Sequence, residues 1–532
     1  MQVLRDNVNR STELFAANRA GNLARIADLE HQQRLACEGG GPRYVERHRA
    51  RGKLLARERI ELLLDRDAPF LELSTLAAWD TDYHVGASIV TGVGVVENVE
   101  CVLVAHDPTV RGGASNPYTW KKALRALQIA RENRLPVINL VESGGGDLTS
   151  QAELFVPAGQ LFHDLTELSA MGIPTIALVF GNSTAGGAYV PGLCDYSVMV
   201  DGGAKVFLGG PPLVKMAIGE DSDDEDLGGA AMHARVSGLC DYFARDEVEC
   251  VRMGRDIVAH LNWRKLGPPA GCVAVEPRHD PEDLLGIASV DLKTPFDPRD
   301  VLARVVDASE FDEYKPLYGP SLVTGWARVH GYLVGVLANA HGVLFSEESQ
   351  KATEFILLCN QTDTPLVFLQ NTTGFMVGKK AEQRGIIKDG AKLINAVTNS
   401  SVPHLTINMG ASYGAGNYGM SGRSYSPRFL FTWPNAKTAI MGPEQLAGVM
   451  SIVARQSAAG AGRVFDEEAD ARNRKALEDE VELASLAPYM SARLFDDGVI
   501  DPRHTRAVLG IALSACHSNE VRGRRGFGVF RM

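Results

Sequence analysis

A chain of 532 residues, 45% hydrophobic and 22% charged, is too long for one core and has the balance of a globular protein with two large domains. A net charge of −11 disfavours nonspecific nucleic-acid binding. The eight cysteines form no Cys-x-x-Cys pair, which removes the zinc-ribbon and disulfide-framework classes. No apolar run approaches the ~18 residues a bilayer span needs. The start of the chain lacks a secretory apolar core, and Asp6 and Glu13 place its arginines on a surface helix. A reducing cytoplasm is the expected location, with no membrane or nucleic-acid partner.

In chain order, residues 1–35 read as a polar helical arm, closed by the breaker Gly39-Gly40-Gly41-Pro42. Residues 43–65 are basic with apolar residues at helical spacing. Strand-like runs follow at 87–96 and 101–105. In 118–133, Trp120, Ala123, Leu124, Leu127 and Ala130 fall at helix spacing, and 135–141 reads as a buried strand. A further strand, 175–181, ends in glycines. The acidic run 220–226 reads as a solvated loop, because like charges repel and stay in water. Gly267-Pro268-Pro269 and residues 295–298 bound a polar, proline-containing stretch with the character of an interdomain linker. Helix 347–360 and strands 365–369 and 405–410 then repeat the earlier order, and 466–480 is a charged helix. Strand, glycine turn and helix in alternation predict an α/β fold with layered sheets.

The repetition is explicit in the residues. An offset of 229 carries Pro136 to Pro365, Pro174 to Pro403, Ser183 to Ser412, Gly187 to Gly416 and Tyr189 to Tyr418. Thr91-Gly92 maps to Thr324-Gly325 at 233, and Gly210-Pro211 to Gly442-Pro443 at 232. Such small drift implies a duplicated domain with minor loop changes. Two like domains with like turns predict one site for each of two chemically similar ligands.

Four glycine-rich turns close predicted strands: Ser143–Gly146, 185–188, 371–374 and 414–417. A strand that ends in small residues and opens a helix can aim two backbone N–H groups at one oxygen, stabilising an oxyanion by a few kcal/mol per donor, roughly. The plain alternative is a tight turn where sheet and helix pack closely; the matched pair at Gly186-Gly187 and Ala415-Gly416 favours the first reading. Other motifs fail on spacing. Residues 374–379 are one residue short of a P-loop, with Lys380 where Ser or Thr is needed. Lys215-Met216 lacks the Ala-Met that precedes a biotinylated lysine. No Ser/His/Asp order or metal-spaced His cluster stands out, so no metal is expected. Lys205, Lys215, Lys437 and Arg423 read as structural or phosphate-contacting.

Several segments together are highly specific: Arg51-Gly52-Lys53-Leu54, Asp107-Pro108-Thr109-Val110-Arg111-Gly112-Gly113, Ala185-Gly186-Gly187-Ala188-Tyr189-Val190-Pro191, Asn371-Thr372-Thr373-Gly374-Phe375, Trp433-Pro434-Asn435-Ala436-Lys437 and the closing Phe527-Gly528-Val529-Phe530. Over nearly its full length the chain resembles the carboxyltransferase (β) subunit of biotin-dependent acyl-CoA carboxylases. The resemblance implies two tandem crotonase/ClpP-like spiral domains, 1–280 on the acyl-CoA side with the helical arm and 281–532 on the biotin side. It implies a homo-oligomer, a hexamer of β subunits, with the active site between the N-domain of one subunit and the C-domain of another. It further implies a separate α subunit bearing biotin carboxylase and biotin carrier, with room for other β-type subunits. Gly186 and Gly187 are expected to hold the thioester carbonyl of the CoA substrate, and Ala415 and Gly416 the ureido carbonyl of biotin. The adjoining Ala185, Gly144 and Gly145, and Thr373, Gly374, Phe375, Tyr413 and Gly414, are the expected ligand-binding residues.

Gly414-Ala415-Gly416-Asn417-Tyr418 and the Gly-Gly-Pro-Pro-Leu-Val-Lys segment at 209–215 look most like the methylcrotonoyl-CoA or geranyl-CoA branch, implying a branched or unsaturated acyl-CoA such as 3-methylcrotonoyl-CoA. Ser115-Asn116-Pro117 and Phe162-His163 depart from that pattern, and lost aromatic bulk there would admit a longer chain. Four other readings stand beside this one: a carboxylase of other short- or long-chain acyl-CoAs, a biotin-dependent acyl-CoA decarboxylase subunit, a crotonase-type hydratase or isomerase using Glu142, and an inactive assembly partner.

Overall fold

The computed structural model describes residues 1–526 and 528–532; Phe527, in the closing motif, lies outside the described residues. Two sheets organise the chain, each of eight strands among the described residues. The first runs Phe70–Leu73, Ile89–Val96, Val99–His106, Val137–Ser143, Thr175–Thr184, Tyr196–Val200 and Tyr242–Ala244, with Lys205–Phe207 beside the end of Thr175–Thr184. The second runs Gln2–Val3, Glu310–Glu313, Leu322–Val329, Tyr332–Asn339, Leu366–Thr372, His404–Tyr413 and Phe429–Thr432, with Lys437–Ala439 beside His404–Tyr413.

Each sheet opens with an antiparallel hairpin and continues as parallel strands joined through helices. The parallel strands are buried on both faces, so their sequences are near-continuous apolar runs rather than alternating ones. Along Thr175–Thr184, Ile176, Leu178 and Phe180 enter one core while Ala177 and Val179 enter another. One continuous core takes side chains from both sheets and from helices Pro117–Asn133, Gln151–Ala170 and Thr505–Cys516. The outer face of the first sheet is closed by helices Ala56–Leu63 and Glu247–His260, and that of the second by Ser346–Gln361 and Ile386–Asn399.

The sequence repeat is a repeat of structure. Between Val137–Ser143 and Thr175–Thr184 the register shifts between Val141 and Ser143; its counterpart shifts between Gln370 and Thr372. Lys122 is buried and donates to the carbonyls of Gly86 and Ile89 at 3.2 and 2.7 Å; Lys351 does the same to Gly319 and Leu322 at 3.3 and 2.7 Å. Burial depresses both amines to about 8.

Two expectations change. The segment read as a linker is partly core: Leu284, Leu285 and Ala288 are buried beneath the arm helix Glu13–Cys37. The cause is local polar matching, since Asn22 donates to the carbonyls of Leu285 and Ala288 and Asn18 to that of Gly286. The acidic run is not all loop either: Asp223 caps the short helix Asp224–Gly228 through the amides of Glu225 and Asp226.

The halves meet at a buried charge. Arg125 donates to both oxygens of Asp497 at 2.8 and 2.9 Å, Arg423 adds a third bond at 2.9 Å, and the Leu430 amide a fourth at 2.8 Å. Burial would push the Asp497 carboxyl up, but Arg125 and Arg423 outweigh it and hold it at about 2. Removing one partner of a buried pair costs about 3–5 kcal/mol. Arg125→Ala is therefore expected to lower the urea midpoint by that much stability. Because the folded value lies below the ordinary 3.8, this carboxylate's contribution is whole above about pH 4 and lost as pH falls through about 2. Asp497→Asn should remove that acid-dependent part, read by unfolding titrations across the same window.

Candidate functional site

Strand Thr175–Thr184 enters the short helical turn Ala185–Ala188, and strand His404–Tyr413 enters helix Gly414–Gly419. Ala185 has φ 53° and Gly414 φ 52°, so the two turns begin with the same left-handed residue. Gly414 adopts this without strain, whereas Ala185 takes it at a cost of roughly 1–2 kcal/mol. Neither helix start carries a side-chain cap. The second and third amides of an α-helix have no intrahelical acceptor, which leaves those of Ala415 and Gly416 free; in the 3-10 turn, whose bonds reach back three residues, the amide left free beside Gly187 is that of Gly186.

The supporting turns match atom for atom. Ser143 Oγ donates to the Gly113 carbonyl at 2.7 Å and accepts from the Gly145 amide at 3.2 Å. Thr372 Oγ1 donates to the Gly342 carbonyl at 3.0 Å and accepts from the Gly374 amide at 3.2 Å. The matched serines diverge. Ser183 Oγ donates to the Gly187 carbonyl at 2.8 Å, while Ser412 Oγ bonds to Gln370 at 2.5 Å and accepts from Asn417 at 2.7 Å.

Two cavities meet at the first pair of turns. One, of about 520 Å³, is walled mainly by apolar side chains such as Ile89, Val104, Leu161 and Val190, and includes Gly145, Gly186 and Gly187. The other, of about 330 Å³, is basic, with His48, Arg51, Lys53 and Lys205, and includes Gly144. Ser143 belongs to both. In the second half, Gly414 and Ala415 line a cavity of about 480 Å³, and Thr373, Gly374, Phe375 and Tyr413 line one of about 720 Å³; Ile440 is common to both. Ala185 and Gly416 line none of these four. Gly416 is buried, and a Cβ there would stand 2.8 Å from Thr372 Oγ1 and 2.9 Å from the Gly374 Cα.

Of the two departures near the acyl side, Ser115 and Phe162 both line the apolar cavity. Asn116 instead caps helix Pro117–Asn133 by accepting from the Tyr118 and Thr119 amides. Phe162 keeps aromatic bulk in the cavity, its ring 5.7 Å from that of Tyr189. The exposed His163 pairs with Asp164 at 3.0 Å and is grouped with Glu167, a cluster that spacing did not reveal. Gln160 and Arg131 already donate to those two carboxylates.

Glu142 is no free base. Lys53 donates to it at 2.5 Å and Arg59 at 2.7 Å, and Arg59 also holds Glu247 at 2.9 and 2.7 Å. Burial raises the Glu142 carboxyl, but Arg59 and Lys53 prevail and hold it below its usual range. The lysines read as structural pair with acids: Lys205 with Glu225 at 2.7 Å, Lys215 with Asp221 at 2.5 Å, and Lys437 with Glu482.

The carboxyl transferase domain matches residues 47–530. The chain belongs to that family. A probable biotin-dependent acyl-coenzyme A carboxylase β2 subunit of Mycobacterium tuberculosis is 64% identical, over 97% of both chains. A methylcrotonoyl-CoA carboxylase β chain of Dictyostelium discoideum is 50% identical, over 93% of this chain and 85% of that one. The crystal structure of the β subunit of P. aeruginosa geranyl-CoA carboxylase superposes with a TM-score of 0.90 at 41% identity, over 100% of each. The protein is thus the carboxyltransferase component of a biotin-dependent acyl-CoA carboxylase, built on the duplicated crotonase-like fold that the sequence implied. No helix among the described residues is long and apolar enough to cross a membrane.

The crowding at Gly416 contrasts with Gly187, whose nearest neighbour to an added Cβ is Ser183 Oγ at 3.6 Å. Gly416→Ala is therefore expected to lower Tm by several degrees, at a cost of about 1–3 kcal/mol for overpacking. Gly187→Ala should leave Tm within a degree or so, both read by thermal unfolding.

Proposed function

We propose that the chain transfers CO2 from carboxybiotin, carried by a separate α subunit, to a branched or unsaturated acyl-CoA such as 3-methylcrotonoyl-CoA. One observation carries this reading: the Gly186-Gly187 turn lies on an apolar cavity that joins a basic cleft through Ser143. An acyl chain belongs in the first, the anionic arm of coenzyme A in the second, and the thioester oxygen between them at the two amides. The Gly144-Gly145 turn spans that junction. The matched Ala415-Gly416 turn then serves the ureido oxygen of biotin, with Thr373, Gly374, Phe375, Tyr413 and Gly414 shaping its approach. The unpaired N–H donors of that turn, with Thr372 and Gly374 packed closely behind Gly416, fit such a ring.

Carboxybiotin supplies the CO2 when bound. The chain's own contribution is to fix two oxygens with paired amides, each worth about 2.7–4 kcal/mol where negative charge develops. Apolar walls exclude water from the reacting carbon. Because Glu142 is tied to Lys53 and Arg59, that carboxylate is not free to act as a base, which disfavours a hydratase that uses it. The named relatives act on methylcrotonoyl-CoA and geranyl-CoA, and the apolar cavity suits either class of chain.

Each cavity is lined by one half of the chain alone, which supports a site completed by the opposite half of another copy. Exposed Leu148, Phe155 and Val156 beside the first cavity and Ile440, Met450 and Val453 in the second half offer apolar surface for that contact. We place the division between the halves at 280/281, the assembly as a β hexamer and the location in the cytoplasm.

Gly186→Val is expected to cut acyl-CoA turnover by about 100-fold or more while leaving free-biotin binding intact, and Ala415→Val to do the reverse. Equal activity in either variant would remove the role given to that turn. ATP-dependent bicarbonate fixation by the chain with its biotin subunit, over C3, C4, branched unsaturated C5 and geranyl acyl-CoAs, should favour an unsaturated branched chain. A saturated best substrate overturns the substrate assignment, and no fixation overturns the carboxylating direction.

A further inference from the structure

The cavity of about 480 Å³ beside Ala415 contains a second, opposite kind of unmet hydrogen-bonding capacity. Asp496 lines it and is 2% exposed, yet neither of its carboxylate oxygens has a hydrogen-bond partner. Asn408 lines it too, 4% exposed; its Nδ2 reaches Thr432 Oγ1 at 3.5 Å and its Oδ1 has no partner. Buried polar atoms are normally satisfied, and an unpaired carboxylate is among the costliest exceptions. Three acceptor atoms without donors on one cavity wall are thus a feature that a ligand explains.

The cations nearby are already spent. Arg125 and Arg423 both bond to the adjacent Asp497, which also takes the Leu430 amide. The groups acting on Asp496 are Asp497 beside it, the Arg423 guanidinium bonded to Asp497, and the hydroxyls of Thr432 and Ser491, which stand near without forming a hydrogen bond of regular geometry. Burial first, and the Asp497 charge in support, push the Asp496 carboxyl up to about 6. This departs from the other half: Glu142, the buried carboxylate next to the first turn, has two cations of its own.

We propose that Asp496, with Asn408, accepts the ring N–H of a cyclic urea whose carbonyl oxygen is held by the amides of the Ala415-Gly416 turn. A cyclic urea offers one acceptor oxygen flanked by N–H donors, and this cavity offers donors at the turn and unpaired acceptors on its wall. The inference rests on the proposed role of that turn and assigns a second, side-chain half to the same recognition. Asp496 and Asn408 are binding and positioning residues here; the carboxylate form accepts the N–H, so binding strengthens as pH rises through about 6.

The test is binding of free biotin to the full chain, by calorimetry from pH 5 to 8, for the native protein, Asp496→Asn, Asn408→Ala and Ala415→Val. Acyl-CoA binding at the first cavity is measured in parallel to report the fold. Loss of one charge-assisted hydrogen bond predicts roughly 10-fold weaker biotin binding in Asp496→Asn at pH 8, a flattened pH dependence, and unchanged acyl-CoA affinity. Asn408→Ala should weaken binding less and keep the pH dependence. Native-like affinity and pH dependence in Asp496→Asn, with Ala415→Val still abolishing binding, overturns the role of Asp496 alone. Native-like binding in all three variants overturns the assignment of the turn as well.

Discussion

A single buried carboxylate, Asp497, sets what the rest of the molecule can do. It is fully buried and takes Arg125 from the first half and Arg423 from the second. Arg125 sits on helix Pro117–Asn133, whose Thr119, Trp120 and Ala123 wall the apolar cavity; Arg423 itself lines the cavity beside Ala415. One charge thereby fixes elements of both cavities against each other. Such a cluster is not a source of net stability, because desolvating three charges offsets most of their attraction. It fixes relative position, since any slip leaves a charge buried and unpaired. Its second consequence is local: by consuming both cations it leaves the neighbouring Asp496 with none.

Around that fixed point the two halves are copies with different surroundings. The register shift, the serine or threonine that braces each supporting turn, and the buried lysine that ties each first helix to its hairpin all recur. Duplication of these supports reproduces the geometry of the amide pairs. A left-handed residue must begin each turn, and the two copies meet this with Ala185 and Gly414. What differs is the side-chain lining, from the apolar wall of one cavity to the unpaired acceptors of the other.

Much of this was legible in the sequence, for identifiable reasons. Helix 118–133 and strand 135–141 appear as Pro117–Asn133 and Val137–Ser143, because helical spacing and a short apolar run each leave a clear periodic trace. The basic stretch 43–65 divides into helices Pro42–Arg49 and Ala56–Leu63; Arg43, Arg47, Arg49 and Arg51 stay exposed, Lys53 and Arg57 are half-buried, and Arg59 is buried. Charge in sequence says nothing of the partner that makes burial affordable. Lys122 and Lys351 were hidden for the same reason, as their partners are backbone carbonyls. Asp496-Asp497-Gly498 has the composition of a surface turn, and only the fold reveals one acid satisfied and one not. The apolar residues 284–288 were masked by flanking prolines and aspartates.

Position 142 and its counterpart 371 show how environment decides a residue after duplication. Gly181 and Gly410 lie opposite, and a Cβ on either would collide with the side chain that fills the slot, Glu142 or Asn371. In the first half Lys53 and Arg59 reach that slot, so a carboxylate is needed to balance them. In the second half no cation among the described residues is paired with the slot, and Asn371 Oδ1 accepts from the Ala411 amide at 3.0 Å, so a neutral side chain suffices. An acid in the first slot is therefore a counter-ion, held ionised and immobile by its cations. Committed in this way, Glu142 serves the fold as a counter-ion rather than the chemistry as a base.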